Sequence, residues 1–161
     1  MYTTVIKLRY LQTVALIFFV VLALFPKDSM AQCAVSVNNL NFGVYNPFST
    51  TQTTTSANIT VSRCPILFGS YSVGLNAGQY GGGSYSNRSM QYNSYRLRYQ
   101  IYTSNTYSTI WGDNSQGTGM QYGNCFFFTC NNSFTMYGVI PPSQNIPPGS
   151  YTDTVVVTIT Y

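Results

Sequence analysis

After residue 31 the chain places apolar residues at every second position, repeatedly, and shows no three-and-four spacing of a helix face. That period-2 pattern belongs to strands buried on one side. Ile59 and Val61 share a face within Asn58 to Arg63. Tyr71, Val73 and Leu75 do the same in the next run. In Arg96 to Tyr102, Leu97, Tyr99 and Ile101 face one way and Arg96, Arg98 and Gln100 the other. Phe134 and Met136 alternate with Thr135 and Tyr137. The final run is the clearest: Val155, Val157, Ile159 and Tyr161 oppose Thr154, Val156, Thr158 and Thr160.

Turn residues separate these runs. Gly78 to Ser84 contains Gly81-Gly82-Gly83, which no strand tolerates. Gly112-Asp113-Asn114 and Gly117 to Gly119 break the middle, and Pro141-Pro142 and Pro147-Pro148-Gly149 frame a stiff connection before the last run. Short strands, frequent turns and no helix predict an all-β, two-sheet sandwich of immunoglobulin-like topology. The last strand, rich in Val and Ile with only Asp153 as a nearby charge, is an aggregation hazard at a sheet edge. Another strand of this chain, or one from a partner, should cover it.

The first residues predict export. Lys7 and Arg9 form a positive segment, Val14 to Phe25 is an unbroken apolar run, and Ser29-Met30-Ala31 offers small residues for signal peptidase. The run is too short for a membrane span, which needs about 20 residues. Residues 1–31 are therefore expected to be a signal peptide cleaved after Ala31, leaving residues 32–161 as one β-sandwich domain. No later segment is apolar enough to span a membrane.

Beyond residue 31 the only bases are Arg63, Arg88, Arg96 and Arg98, and the only acids Asp113 and Asp153, a net charge of +2. Four scattered arginines do not form a nucleic-acid surface. The chain contains neither His nor Glu, so Ser-His-Asp triads and glutamate pairs are excluded. Asp113 and Asp153 would form a carboxylate pair only if the fold joined them; ordering local backbone is the simpler role. Gly81-Gly82-Gly83 lacks the Lys and helix of a phosphate loop. The expectation is a non-enzyme without cofactors.

Cys33, Cys64, Cys125 and Cys130 remain after export, an even count that reads as disulfides. Three pairings are possible. Cys125 and Cys130 are close enough to staple a hairpin end, and Cys33 with Cys64 then follows. Zinc fits poorly without His or paired CxxC spacing.

A resemblance runs through these residues in order. Cys33-Ala-Val-Ser-Val with Leu40-Asn-Phe-Gly-Val-Tyr45, then Ile59-Thr-Val-Ser-Arg-Cys64, then Tyr71-Ser-Val-Gly-Leu75 with Gly78 and Arg88-Ser-Met90, resemble the spore coat protein U domain family. Leu97-Arg-Tyr-Gln-Ile-Tyr102 with Trp111-Gly-Asp113, Tyr137-Gly-Val-Ile-Pro141, and the run from Gly149 to Tyr161 continue it. This is the subunit type of archaic (Csu-like) chaperone–usher pili. The resemblance implies an incomplete immunoglobulin-like sandwich of the pilin type, completed by a strand from a periplasmic chaperone and later from a neighbouring subunit. It implies passage through the periplasm and an outer-membrane usher to a cell-surface fibre or coat, serving attachment and biofilm. Val155, Val157, Ile159 and Tyr161 would then line the acceptor groove or its chaperone contact.

Two departures matter. Family subunits that polymerise carry a donor segment before the first Cys, whereas cleavage after Ala31 leaves only Gln32. Such a subunit accepts a strand and gives none, as a tip or minor subunit. Second, Cys125-Phe-Phe-Phe-Thr-Cys130 replaces a short polar turn. Phe126, Phe127 and Phe128 have two readings: an ordinary strand end with Phe126 and Phe128 in the core, which is the simpler, or an exposed finger for abiotic surfaces. The alternative function is a carbohydrate-binding module for glycan surfaces, using Tyr80, Tyr85, Tyr92 and Tyr95 near the glycine-rich loop.

Overall fold

Ile59 and Val61, which share a face in sequence, are fully buried in the longest pairing of the fold. The computed structural model describes residues 32–161; the signal peptide expected over residues 1–31 lies outside the described residues. The strands are β1 (Ala34–Val37), β2 (Thr53–Arg63), β3 (Phe68–Leu75), β4 (Ser89–Tyr92), β5 (Tyr95–Arg98), β6 (Gln100–Tyr102), β7 (Gln121–Phe126), β8 (Thr129–Ile140) and β9 (Val157–Thr160). One 3-10 turn, Tyr85–Asn87, interrupts the glycine-rich loop, where only turns are expected from sequence.

The pairings are antiparallel, in the order β1-β2-β8-β7-β3-β9, with β6 also on β8 and β4-β5 forming a separate ribbon. β7 and β8 share one paired rung, Phe126↔Thr129. Beyond it they part: β7 continues into β3 and β9, while β8 continues into β2, β1 and β6. The result is a β-sandwich of the pilin type whose core lies between the two layers. Ile59 and Val61 of β2, Val73 and Leu75 of β3, and Ile140 of β8 are at most 1% exposed. Trp111 is wholly buried among them, and its indole N–H donates to the Val73 carbonyl at 2.9 Å, so the ring is buried without an orphaned donor.

The single strand read over Arg96 to Tyr102 is in fact two. The chain changes partner at Tyr99, leaving β4 for β8. Leu97, Tyr99 and Ile101 nevertheless all face the core, so the alternation survives the break. The regular part of the last strand begins at Val157. Upstream, Thr152 exchanges two backbone bonds with Gln91, and Asn76 grips Val156 through both its backbone N–H and its side-chain oxygen.

Candidate functional site

β9 pairs with β3 along one edge, and no strand of the described residues lies along the other. Beside that open edge runs a groove of about 330 Å³. Val155 and Val157 form one bank, Val37, Leu40 and Phe42 the other, and buried Leu75, Met90, Ile101 and Met136 the floor. A second hollow, bordered by Tyr45, Leu97, Ile140 and Gly149, shares Leu40, Phe42, Met90 and Tyr151 with the first and extends it. The gap, which Asn38, Asn39, Thr152 and Asp153 also line, thus follows the chain from 149 to 157 on one side and from 37 to 45 on the other. Along the last strand Val155, Val157 and Ile159 are half-buried and the intervening residues exposed. Tyr161 stands apart from the other three: it is 56% exposed and lies beyond the strand.

The start of the last segment is anchored by Asp153. Its carboxylate accepts the Tyr99 phenol at 2.7 Å, the Gln79 N–H at 2.8 Å and its neighbour Thr154 N–H at 2.8 Å. Gly78 (φ +79°) lies against this carboxylate, and a Cβ there would collide with it. Burial pushes the Tyr99 hydroxyl well above the ordinary phenol range, and its bond to Asp153 pushes it further. Nearby, Arg88 is fully buried. Its Nη2 donates to the carbonyls of Asn76 at 2.6 Å and Trp111 at 2.7 Å, its Nε also reaches Asn76, and the cation lies 5.2 Å from the Tyr85 ring centre. Burial lowers its basicity. Nη1 has no hydrogen-bond partner among the described residues. Asp113 is placed elsewhere in role: it accepts the Ser115 N–H at 3.0 Å and the Ser115 hydroxyl, which hold its carboxyl below the usual range.

The aromatic turn lies where β7 meets β8. Phe126, Phe127 and Phe128 are 65%, 58% and 37% exposed, so they stand outside the core. Phe127 (φ +47°) and Phe128 (φ +62°) are the two central residues of the hairpin turn, and both are left-handed. A two-residue hairpin with that backbone favours Asn-Gly, because the Cβ of most other residues crowds the following carbonyl there, at roughly 1–2 kcal/mol each. The turn is nonetheless held firmly. Phe127 and Phe128 donate backbone N–H groups to Leu67 and Ile66, and Phe128 accepts from Cys64. Phe68 completes the cluster, 4.9 Å from Phe126 and 4.8 Å from Phe127 between ring centres, edge to face. Leu67 and Phe68 are also exposed. Sequence reading missed both, since nothing local shows that residues 66–68 run beside the turn.

The disulfides are Cys33–Cys64 and Cys125–Cys130, one of the three possible pairings. The tyrosines are not one platform. Tyr85 is buried under Arg88, Tyr80 faces Arg96 at 4.6 Å, Tyr92 leans on Tyr151 at 5.7 Å, and Tyr95 is exposed.

A family model described as the Spore Coat Protein U domain matches residues 19–158. The chain belongs to this family. Protein U of Myxococcus xanthus is 38% identical to it over 65 residues, which are 40% of this chain and 34% of that protein. The chain thus aligns with only part of that relative's length. Among solved structures it is similar to one from the chaperone–tip adhesion subunit pre-assembly complex CsuC–CsuE of the archaic chaperone–usher Csu pili of Acinetobacter baumannii. The TM-score is 0.50 at 21% identity, over 81% of this chain and 40% of that one, a likeness of fold. The E. coli Hda pilus minor tip subunit HdaB gives a TM-score of 0.40 at 17% identity over 78% of this chain and 79% of that one. The family member described here therefore combines a pilin-type sandwich with an open edge strand.

Proposed function

We propose that this Spore Coat Protein U family member is an exported structural subunit completed by a strand that another protein adds along β9. The observation that carries this reading is the open edge of β9 beside a groove with an apolar floor. An exposed edge rich in Val and Ile is otherwise a liability, and β-strand addition converts it into a binding site: backbone bonds supply affinity and alternate side chains fill the hollows. Val155 and Val157 line the groove, half-buried Ile159 continues their face along β9, and Tyr161 lies beyond the strand. The donors are a periplasmic chaperone first and a neighbouring subunit later, with an outer-membrane usher exporting the chain to a surface fibre or coat. With cleavage after Ala31, only Gln32 precedes Cys33, and the subunit receives a strand without giving one, as a tip or minor subunit. N-terminal sequencing of the exported protein tests that step; a start some ten residues upstream would contradict it.

The aromatic turn supplies the attachment. Four exposed rings, Phe68 and Phe126 to Phe128, with Phe127 and Phe128 on left-handed backbone that Phe does not favour, support an interaction surface rather than a packing solution. Its target is a hydrophobic abiotic surface, and the outcome at the community level is biofilm. The role is structural, not catalytic: Asp113 is committed to its neighbour Ser115, and Asp153 to Gln79 and Tyr99 of other segments. Co-production with an archaic-type pilus chaperone in the periplasm tests the main reading. A stable one-to-one complex is expected, and a chain that folds and remains monomeric beside the chaperone would contradict it.

A further inference from the structure

The two disulfides are far apart in sequence and adjacent in space. Cys33–Cys64 ties the start of β1 to the end of β2, and Cys125–Cys130 closes the β7–β8 hairpin beneath the aromatic turn. The Sγ atoms of Cys64, Cys125 and Cys130 all lie within 4.8 Å of one another. These three residues are buried, at 1%, 5% and 6% exposure, whereas Cys33 is only half-buried. The Cys64 N–H also donates to the Phe128 carbonyl at 3.3 Å, fixing Cys64 against the turn.

We propose that the two bridges form a thiol–disulfide relay whose point of attack is Cys33 and whose output is the staple of the aromatic turn. Exchange requires a thiolate, a reachable sulfur and a leaving sulfur. A low-molecular-weight thiolate attacks Cys33 Sγ, Cys33 being the least buried of the four cysteines. A bond forms between the two, the Cys33–Cys64 bond breaks, and the electron pair leaves on Cys64. That sulfur is buried among apolar groups, which disfavour a resting thiolate. It attacks Cys125 or Cys130, forming a new disulfide, and the staple's electron pair leaves on the other hairpin cysteine, which takes up a proton. One external thiol is consumed. The chain still holds two disulfides, one of them mixed, and one hairpin cysteine is now a thiol. No further oxidant or reductant is needed.

The inference rests on sulfur geometry alone, independent of strand addition or adhesion. The folded, exported protein is treated with glutathione at mildly alkaline pH, quenched with N-ethylmaleimide and digested with trypsin without reduction. Cleavage after Arg63, Arg88 and Arg98 puts Cys33, Cys64 and the hairpin pair on three peptides. The expected products are glutathione on Cys33, residues 64–88 linked to residues 99–161, and maleimide on Cys125 or Cys130. Maleimide on Cys64 with Cys125–Cys130 intact would overturn the relay. Glutathione found first on the hairpin, or no reaction of the folded chain where the urea-unfolded chain reacts, would overturn Cys33 as the point of attack.

Discussion

Tyr99 donates its phenolic hydrogen to Asp153 at 2.7 Å, joining the break between β5 and β6 to the start of the last segment. The bond sits on the border of the groove beside β9. It therefore helps set where the acceptor edge begins, although neither residue belongs to β9.

Tyr99→Phe removes this bond and keeps the ring. Asp153 retains the backbone N–H groups of Gln79 and Thr154. A hydrogen bond to a charged partner contributes about 1.5–3 kcal/mol, and Asp153 is only half-buried, so the expected loss is near the lower figure. Urea denaturation should show a lower midpoint with an unchanged slope.

Burial raises the hydroxyls of Tyr71 and Tyr85, and burial with Asp153 raises Tyr99. These groups stay protonated in the fold at pH values where the unfolded chain, with phenols near pH 10, begins to ionise. The folded state then binds more protons than the unfolded state, and stability falls as pH rises. Their contribution is complete below about pH 10 and is lost above it. The Tm should fall progressively between roughly pH 10 and 11, less steeply in Tyr99→Phe.

Arg88→Lys keeps the charge but loses the fork that serves two carbonyls at once. The Trp111 or Asn76 carbonyl would be left without its donor inside the core. A cost of roughly 2–3 kcal/mol is expected in chemical denaturation. A change within a few tenths would show that the fork contributes little.

Replacing Phe127-Phe128 with Asn-Gly separates stability from attachment. It relieves two left-handed Phe residues, each disfavoured by about 1–2 kcal/mol. It gives up edge-to-face contacts of about 0.5–1.5 kcal/mol each, which lie near the low end because the cluster is solvent-exposed. The variant is expected to be more stable by roughly 1 kcal/mol and to lose binding to hydrophobic surfaces. Loss of folding would instead assign these rings to the core, and retained binding would move attachment elsewhere. A glycan array on the parent chain should stay blank.

Much of the sandwich was legible because alternation maps directly onto burial. Ile59 with Val61, and Val73 with Leu75, show this. The reading failed where a partner far away decides. Nothing local marks the change of partner at Tyr99, and β4 escaped notice because Ser89 and Met90 are both buried and break the alternation. Arg88 looks in sequence like any surface cation; its burial depends on carbonyls of Asn76 and Trp111 brought in by other elements. The groove was only half-visible. Val155, Val157 and Ile159 were apparent as an apolar face, but the opposite bank, Val37 to Phe42, lies more than a hundred residues away in sequence. The aromatic turn was marked by composition, while its left-handed backbone and its partners Leu67 and Phe68 were not.

The central claim is that β9 accepts a strand along its open edge. Hydrogen–deuterium exchange of the chain alone and in complex with an archaic-type pilus chaperone tests it most directly. Strand addition predicts at least about tenfold slower exchange over residues 155–160, since new backbone bonds shield that edge from fluctuation. A stable complex in which residues 155–160 exchange as in the free chain, with protection elsewhere, would contradict it.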